Sequence, residues 1–471
     1  VKPMARRQPD RPSPRPHPPT DRPLKVYALA SEQHFVDHLA PIWKALPAEV
    51  RGVFYTGGGP GNPRLSHHQA IAVHGIEEAC TGLPRRKTYG LALTAASGDL
   101  NRTVRSAPFM RAVFFEHGCG LAYNRWQNSY AGAHHRPNVD LFIFPNELSA
   151  VRQRSVHTER RVEVIGSSPR LDPWASGGKL HKTLERRQRR SAQPTVCLSF
   201  HWDCPVVSET RTALYWYRKH FGELLGRGYE VVGHAHPRII DQAALAYKQF
   251  GIETIRDFDE VLARADLYAV DNSSTLYEFA ATGRPVVVLN CPRYRKTVSH
   301  GLRFWSHIPG VQVEGPGELP AAIERALLDP PDLRELRQRA VNAVFPRLDG
   351  KATERAVALV LEQLAVTAAE YPEPDMVVSE SSAPVWVVKG PQGSVHEFLV
   401  QGEANRLFKK RGGTEKGWTI EKIEDPSETR GPVTSSTAGR TTAHVDPAFE
   451  RKVAPKGGGR YASRAAALRR R

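Results

Sequence analysis

A chain of 471 residues, 40% of them hydrophobic, has the material for two or three domains with real cores, which excludes a wholly disordered protein. The net charge of +17 invites a nucleic-acid reading, but its placement argues against a basic groove built into the folded body. Residues 1–23 carry six Lys/Arg against two acids, residues 176–193 six against one and residues 451–471 eight against none, which accounts for the whole excess. These segments are expected to tether the protein peripherally to an anionic membrane or to nucleic acid. The cysteines, at 80, 119, 197, 204 and 291, form no Cys-x-x-Cys pair, so a reducing, cytoplasmic compartment is expected. No apolar stretch reaches eighteen residues, so a membrane-spanning helix is not expected.

Residues 1–23 hold eight prolines and few apolar side chains, which predicts a disordered Pro/Arg-rich arm. From Leu24 onward apolar runs alternate with helical patterns. Strands are predicted at 24–30, 50–56, 89–93, 111–115, 140–144 and 161–165, and an amphipathic helix from Phe35 to Leu46. Such alternation implies a mostly parallel sheet covered by helices, an N-terminal Rossmann-like domain over 24–175. The run Gly57-Gly58-Gly59-Pro60-Gly61 lacks the Gly-Lys-Ser/Thr ending of a phosphate loop and reads as a flexible loop.

A basic linker or exposed helix at 176–193 precedes a second α/β series over 194–371. Strands are predicted at 195–200 and 229–237, with a helical stretch from about Glu209 to Leu225 between them. A strand–helix–strand unit follows at 267–289, then helices at about 319–328, 332–344 and 351–366. The last of these puts Ala356, Leu359, Val360 and Leu364 on one face. Residues 372–424 read as a small β module, with hairpin-like alternation from 385 to 423, and residues 425–471 as a disordered basic tail.

The 267–289 unit carries the most chemistry. Its apolar strand stops at Asp271, and Asn272, Ser273, Ser274 and Thr275 supply N-cap groups and spare hydroxyls where helix N–H groups lack partners, the makings of a phosphate site. The structural alternative is an ordinary capped helix. Glu278, three residues after Thr275, suits the N3 position of a capping box, or could accept ribose hydroxyls in a nucleotide site. His117 ends a buried strand ahead of Gly118 and suits a general base, with Glu116 to orient it; alternatively it is a loop histidine bonded to a carbonyl. His234 and His236 alternate before Pro237 and Arg238. No third ligand with metal-type spacing is evident, so a phosphate clamp of His236 and Arg238 is the more economical reading. His67, His68, His134 and His135 read as surface residues. Gly166, Ser167 and Ser168, in the run to Asp172, either line a cleft or merely cap the exit from the first sheet.

In this order the segments resemble the two-domain GT-B glycosyltransferases, and within them the CDP-glycerol glycerophosphotransferase-like group of teichoic acid biosynthesis. His117-Gly118 looks like that group's histidine-glycine loop, and residues 165–172 are similar to its Gly-x-Pro-x-x-Asp strand exit. His236-Pro237 looks like its second histidine, and Asp271 to Val287 is similar to its Asp-x-Ser-Ser stretch. The resemblance covers about 24–366 and implies two Rossmann-like domains facing a cleft, with an acceptor in the first and a nucleotide donor in the second. It further implies His117 as the catalytic base and His236, Ser273 and Ser274 as donor-phosphate ligands, with no cofactor and no metal. The chain departs from the group in Cys119 to Tyr123 after His-Gly, and in Tyr277-Glu278 where the group often has Phe-Asp. The expected activity is transfer of a sugar or glycerophosphate from a nucleotide-sugar or CDP-glycerol donor to a hydroxyl of a polymer, lipid-linked or protein acceptor. Two alternatives are a nucleotide-sugar epimerase of the same fold and a non-catalytic binding or assembly protein that uses the basic tail.

Overall fold

The computed structural model describes residues 23–57, 74–118, 138–156, 158–175, 193–203, 208–296 and 306–370, positions 182, 185 and 415, and strands at 385–389, 395–398 and 419–423. The chain divides into two compact units, Val1–Pro374 and Asp375–Arg471. The expected disordered tails, most of the 176–193 linker, Gly58 to Gly61, the histidine pairs 67–68 and 134–135, and Cys119 to Tyr123 lie outside the described residues.

The first sheet runs through β1 (Val26–Leu29), α1 (Gln33–Ala45), β2 (Arg51–Tyr55), β3 (Ala79–Cys80), β4 (Leu91–Thr94), α2 (Ser97–Ser106), β5 (Arg111–Phe115), β6 (Val139–Phe144), α3 (Glu147–Val156) and β7 (Arg161–Val164). Its described strands pair in parallel in the order β3-β2-β1-β4-β5-β6-β7. The order reverses between β1 and β4, the kind of switch point where ligands enter an open α/β sheet. A 3-10 segment, Pro169–Trp174, leads out of this sheet.

The second sheet comprises β8 (Thr195–Phe200), α4 (Leu214–Tyr217), β9 (Glu230–Ala235), α5 (Ile240–Lys248), β10 (Glu253–Thr254), α6 (Phe258–Arg264), β11 (Leu267–Val270), α7 (Thr275–Ala280), β12 (Val286–Leu289) and β13 (Val311–Val313). Its described order, β10-β9-β8-β11-β12-β13, is again parallel throughout, with the switch point between β8 and β11. Strands covered on both faces should be continuous apolar runs, and β8, β11 and β12 are buried along their whole length. Then come α8 (Leu319–Leu328), α9 (Pro331–Val344) and α10 (Ala352–Ala369).

The helical stretch predicted from Glu209 to Leu225 is broken. A 3-10 turn at Ser208–Thr210 and the short α4 precede another 3-10 segment, Arg218–Leu224. Side chains claim the N–H groups that an earlier helix would use: Asp271 accepts from Ala213 at 2.8 Å and the Thr212 hydroxyl from Leu214 at 3.1 Å.

Helix α10 corrects the domain division expected from the sequence, which grouped it with the second domain. Its apolar face, Ala352, Ala356, Val360 and Leu364, packs in the first sheet's core with Val36, Leu39 and Trp43 of α1. Conversely Leu171 and Trp174, just after the first sheet, are buried in the second sheet's core beside Val232 and Phe258. Asp172 accepts the backbone N–H groups of Ala352 and Thr353, so the exit from one domain caps the helix that returns to it. Gly166 permits the junction: its φ is +82°, and a β-carbon there would meet Arg347 Cβ at 2.6 Å.

In the C-terminal unit β14 (Val385–Lys389) pairs antiparallel with β15 (Val395–Phe398) and with β16 (Thr419–Ile423), giving a three-stranded sheet.

Candidate active site

The two switch points face each other. From the first sheet come Ser31 and Glu32 after β1, His34 and His38 on α1, and His117-Gly118 after β5. From the second come His201 and Trp202 after β8, His236 and Arg238 after β9, and Asn272 to Thr275 after β11. Approach is close enough that a β-carbon on Gly118 would lie 3.3 Å from the Ser274 hydroxyl oxygen. Ring centroids of His34 stand 6.0 Å from His117 and 5.0 Å from His236, and His201 is 5.1 Å from His236. Among the described residues no group of three His, Cys, Asp or Glu side chains is arranged to hold a metal ion.

His117 Nδ1 lies 2.6 Å from the Ala95 carbonyl oxygen. A carbonyl can only accept, so in the neutral ring Nδ1 carries the proton and Nε2 the lone pair. The sequence reading gave the orienting role to Glu116, but its carboxylate is 3.9 Å from Nδ1, too far for a hydrogen bond. The carbonyl at the end of β4 does that work instead.

His236 has the opposite tautomer. Its Nδ1 accepts the backbone N–H of Arg238 at 3.2 Å, which leaves the proton on Nε2. Burial, reinforced by His201, His34, Arg238 and His117, holds its pKa well below the ordinary value, so the ring is a neutral N–H donor. Burial likewise depresses His34 and His38, and takes His201 to about 3. The His234 ring, which alternates with His236 along the strand, hydrogen-bonds the Ser199 hydroxyl at 2.8 Å inside the second domain.

Arg238 donates to both Glu32 carboxylate oxygens, at 3.1 and 2.7 Å, while its guanidinium stacks 4.6 Å from the Trp202 ring centroid. The clamp partner named from the sequence is thus already engaged by an anion from the other domain.

The Ser-rich turn differs in detail from the ordinary capped helix that was the alternative to a phosphate site. Helix α7 spans six residues, with Ser274 as N-cap and no side-chain cap bond, so its dipole end is weak. The Thr275 hydroxyl is not spare: it bonds Tyr268 at 3.0 Å and Ser273 at 2.8 Å. Asn272 is buried, and its Nδ2 has no partner among the described residues. Asp271, the end of a strand and the first residue of the Asp-x-Ser-Ser-like stretch, holds the second switch point together by accepting His201 N–H at 2.7 Å and Ala213 N–H at 2.8 Å.

Because Ser274 is the N-cap, Glu278 stands beyond N3 and does not cap. It is buried facing Arg170, at 3.9 Å. Arg170 also bonds Asp259 at 3.2 Å and lies 3.9 Å from Asp37 on α1, so one buried guanidinium joins carboxylates of both domains. Burial pushes the Glu278 pKa up to about 7, with Arg170 opposing and Asp259 and Asp37 adding to the rise. Ser167 and Ser168, expected at the cleft, are buried at the junction with hydroxyls that have no partner among the described residues.

Sequence reasoning missed Glu32, His34, His38, His201, Trp202 and the Arg170 hub. The spacing of His34 and His38, i to i+4 on an amphipathic helix, was the available signal for two of them.

Two parallel Rossmann-like sheets meeting at their switch points are the GT-B architecture. The family model described as CDP-Glycerol:Poly(glycerophosphate) glycerophosphotransferase matches residues 207–362. A variant of the wall teichoic acid polymerase TagF soaked with CDPG is similar over 73% of this chain and 89% of its own, with 16% identity and a TM-score of 0.50. S. aureus MnaA, in a structure with UDP, is similar over 73% of this chain and 97% of its own, with 13% identity and a TM-score of 0.51. At these identities the likeness is one of fold. No curated protein matches the chain. Among the described residues no helix is long and apolar enough to cross a membrane.

Proposed function

We propose that the protein transfers a glycerophosphate or glycosyl group from a nucleotide-activated donor to an acceptor hydroxyl, with donor chemistry in the second domain and the catalytic base in the first. The observation that supports this reading is the close approach of Gly118, next to His117, to Ser274, a residue within the stretch that the glycerophosphotransferase family model matches; a β-carbon on the glycine would lie 3.3 Å from its hydroxyl oxygen. His117 Nε2 takes the proton of the acceptor hydroxyl as its oxygen forms the new bond, and the bond to the departing nucleotide phosphate breaks. The tautomer fixed by Ala95 keeps that lone pair on the nitrogen that needs it. His236 Nε2–H, the Ser273 and Ser274 hydroxyls and Arg238 stabilise charge on the phosphate. Neutral histidine suits this role, since it donates a hydrogen bond without the desolvation cost of a buried cation.

CDP-glycerol is the donor that the family match favours, and the acceptor is a hydroxyl of a polymer, lipid-linked or protein substrate. A thermal-shift screen of CDP-glycerol against UDP-, GDP- and dTDP-sugars tests the donor, because a ligand at a hundredfold its dissociation constant adds roughly 2.7 kcal/mol. Stabilisation by none of them would remove the nucleotide-donor reading. Conversion of a nucleotide sugar with no acceptor present would replace transfer by epimerisation.

A further inference from the structure

The Arg238–Glu32 pair crosses the cleft, from the loop after β9 to the loop after β1. Its geometry is the two-pronged fork with which a guanidinium also grips a phosphate, so one Arg238 cannot serve both anions at full strength. Both residues are held in place. Trp202 supports the guanidinium plane from one side, and the Glu32 loop is fixed where Ser31 N–H donates to the buried Asp99 carboxylate at 2.9 Å. Around the pair His34, His201 and His236 are neutral, and Arg170 is committed to three carboxylates. Among the described residues around the pair, Arg238 is therefore the side chain with positive charge to give, and Glu32 offsets it.

From this geometry we infer that Glu32 is a built-in competitor for the donor diphosphate: it holds Arg238 in the unliganded protein, yields it when the donor arrives, and reclaims it when the nucleotide product leaves. The inference rests on the reading of Arg238 as a phosphate ligand. Glu32 is then a positioning residue that acts through Arg238. Because the two lie in different domains, each exchange also makes or breaks a tie across the cleft, so donor occupancy sets how firmly the first domain is held. A purely structural Glu32 would behave in the opposite sense, since its loss would loosen the site and weaken binding.

Inorganic pyrophosphate, the part shared by every nucleoside-diphosphate donor, is the probe, titrated calorimetrically into the full chain. Glu32→Gln, nearly isosteric, should bind it roughly tenfold more tightly than wild type, the scale expected when a competing charge is withdrawn from one partner. Glu32→Asp, which keeps the charge but shortens its reach, should shift affinity the same way by less, and serves if the Gln variant folds poorly. Arg238→Gln should weaken binding, and adding Glu32→Gln to it should then give no gain. Unchanged or weaker binding in both Glu32 variants, with Arg238→Gln still weakened, overturns the competitor role and leaves the phosphate reading standing. Unchanged binding in Arg238→Gln overturns the phosphate reading beneath it, and no binding by any form overturns both.

Discussion

Asp172 accepts the backbone N–H of Ala352, 180 residues further along the chain, at 3.0 Å, and that of Thr353 at 2.7 Å. These bonds satisfy two of the N–H groups that a helix leaves without partners at its start, and the acceptor lies outside the helix's own sequence. Asp172→Ala should lower stability by about 1–2 kcal/mol. The expected readout is a melting temperature lowered by several degrees with an unchanged far-UV spectrum in the cold; an unaltered melting curve would remove Asp172 from the junction.

His117→Ala should lower turnover by roughly 10²–10⁴-fold, the usual size of a general-base contribution, while donor affinity changes less than about twofold. Single-turnover assays beside equilibrium donor binding separate the two. Wild-type turnover in this variant would exclude the imidazole from the chemistry.

Glu278 gives stability a pH dependence with a definite sign. Burial raises its folded pKa from 4.5 to about 7, so between these values the folded protein keeps a proton that the unfolded chain releases. This group's contribution therefore falls as pH rises through that window. Glu278→Gln should match wild type near pH 4 and exceed it by about 3 kcal/mol near pH 8. Equal melting temperatures for the two proteins at both pH values would contradict the assignment.

A β-carbon at Gly233 would stand 2.4 Å from the ring of Tyr247. That ring cannot retreat, because its hydroxyl donates to the carbonyls of Leu198 and His234 in two neighbouring strands. Gly233→Ala should cost about 1–3 kcal/mol, the range for overpacking a dense core, as measured by urea denaturation. Wild-type stability would mean that β9 and α5 can separate more readily than their packing implies.

What could be read in advance was whatever is written locally. Buried parallel strands are apolar runs, so Leu267 to Val270 and Val286 to Leu289 announced themselves, and His117, His236 and Ser273 stand at strand ends where such folds bind ligands. What escaped was long-range pairing. Nothing in the sequence around Arg238 shows that Glu32, 206 residues earlier, engages it in the structure. Glu116 looked like the orienting group because it is adjacent, whereas the true partner is a backbone carbonyl at Ala95, which has no residue signature. The apolar stripe of α10 said that the helix is buried but not against which sheet. Of the two readings of Glu278, the capping one fails because the helix starts one residue earlier than the sequence suggests, a small shift in register that changes a side chain's surroundings.

The homecoming of α10 also dictates when the protein can fold during synthesis. The core that Val36, Leu39 and Trp43 share with the first sheet is finished by Ala356, Val360 and Leu364, so part of its cover is missing until the second sheet has been made and the last helix of the body has left the ribosome. A nascent chain stalled before residue 352 should expose the part of that core which α10 covers and recruit chaperones, even though every described strand of the first sheet is already present. The domain that begins first is thus completed last.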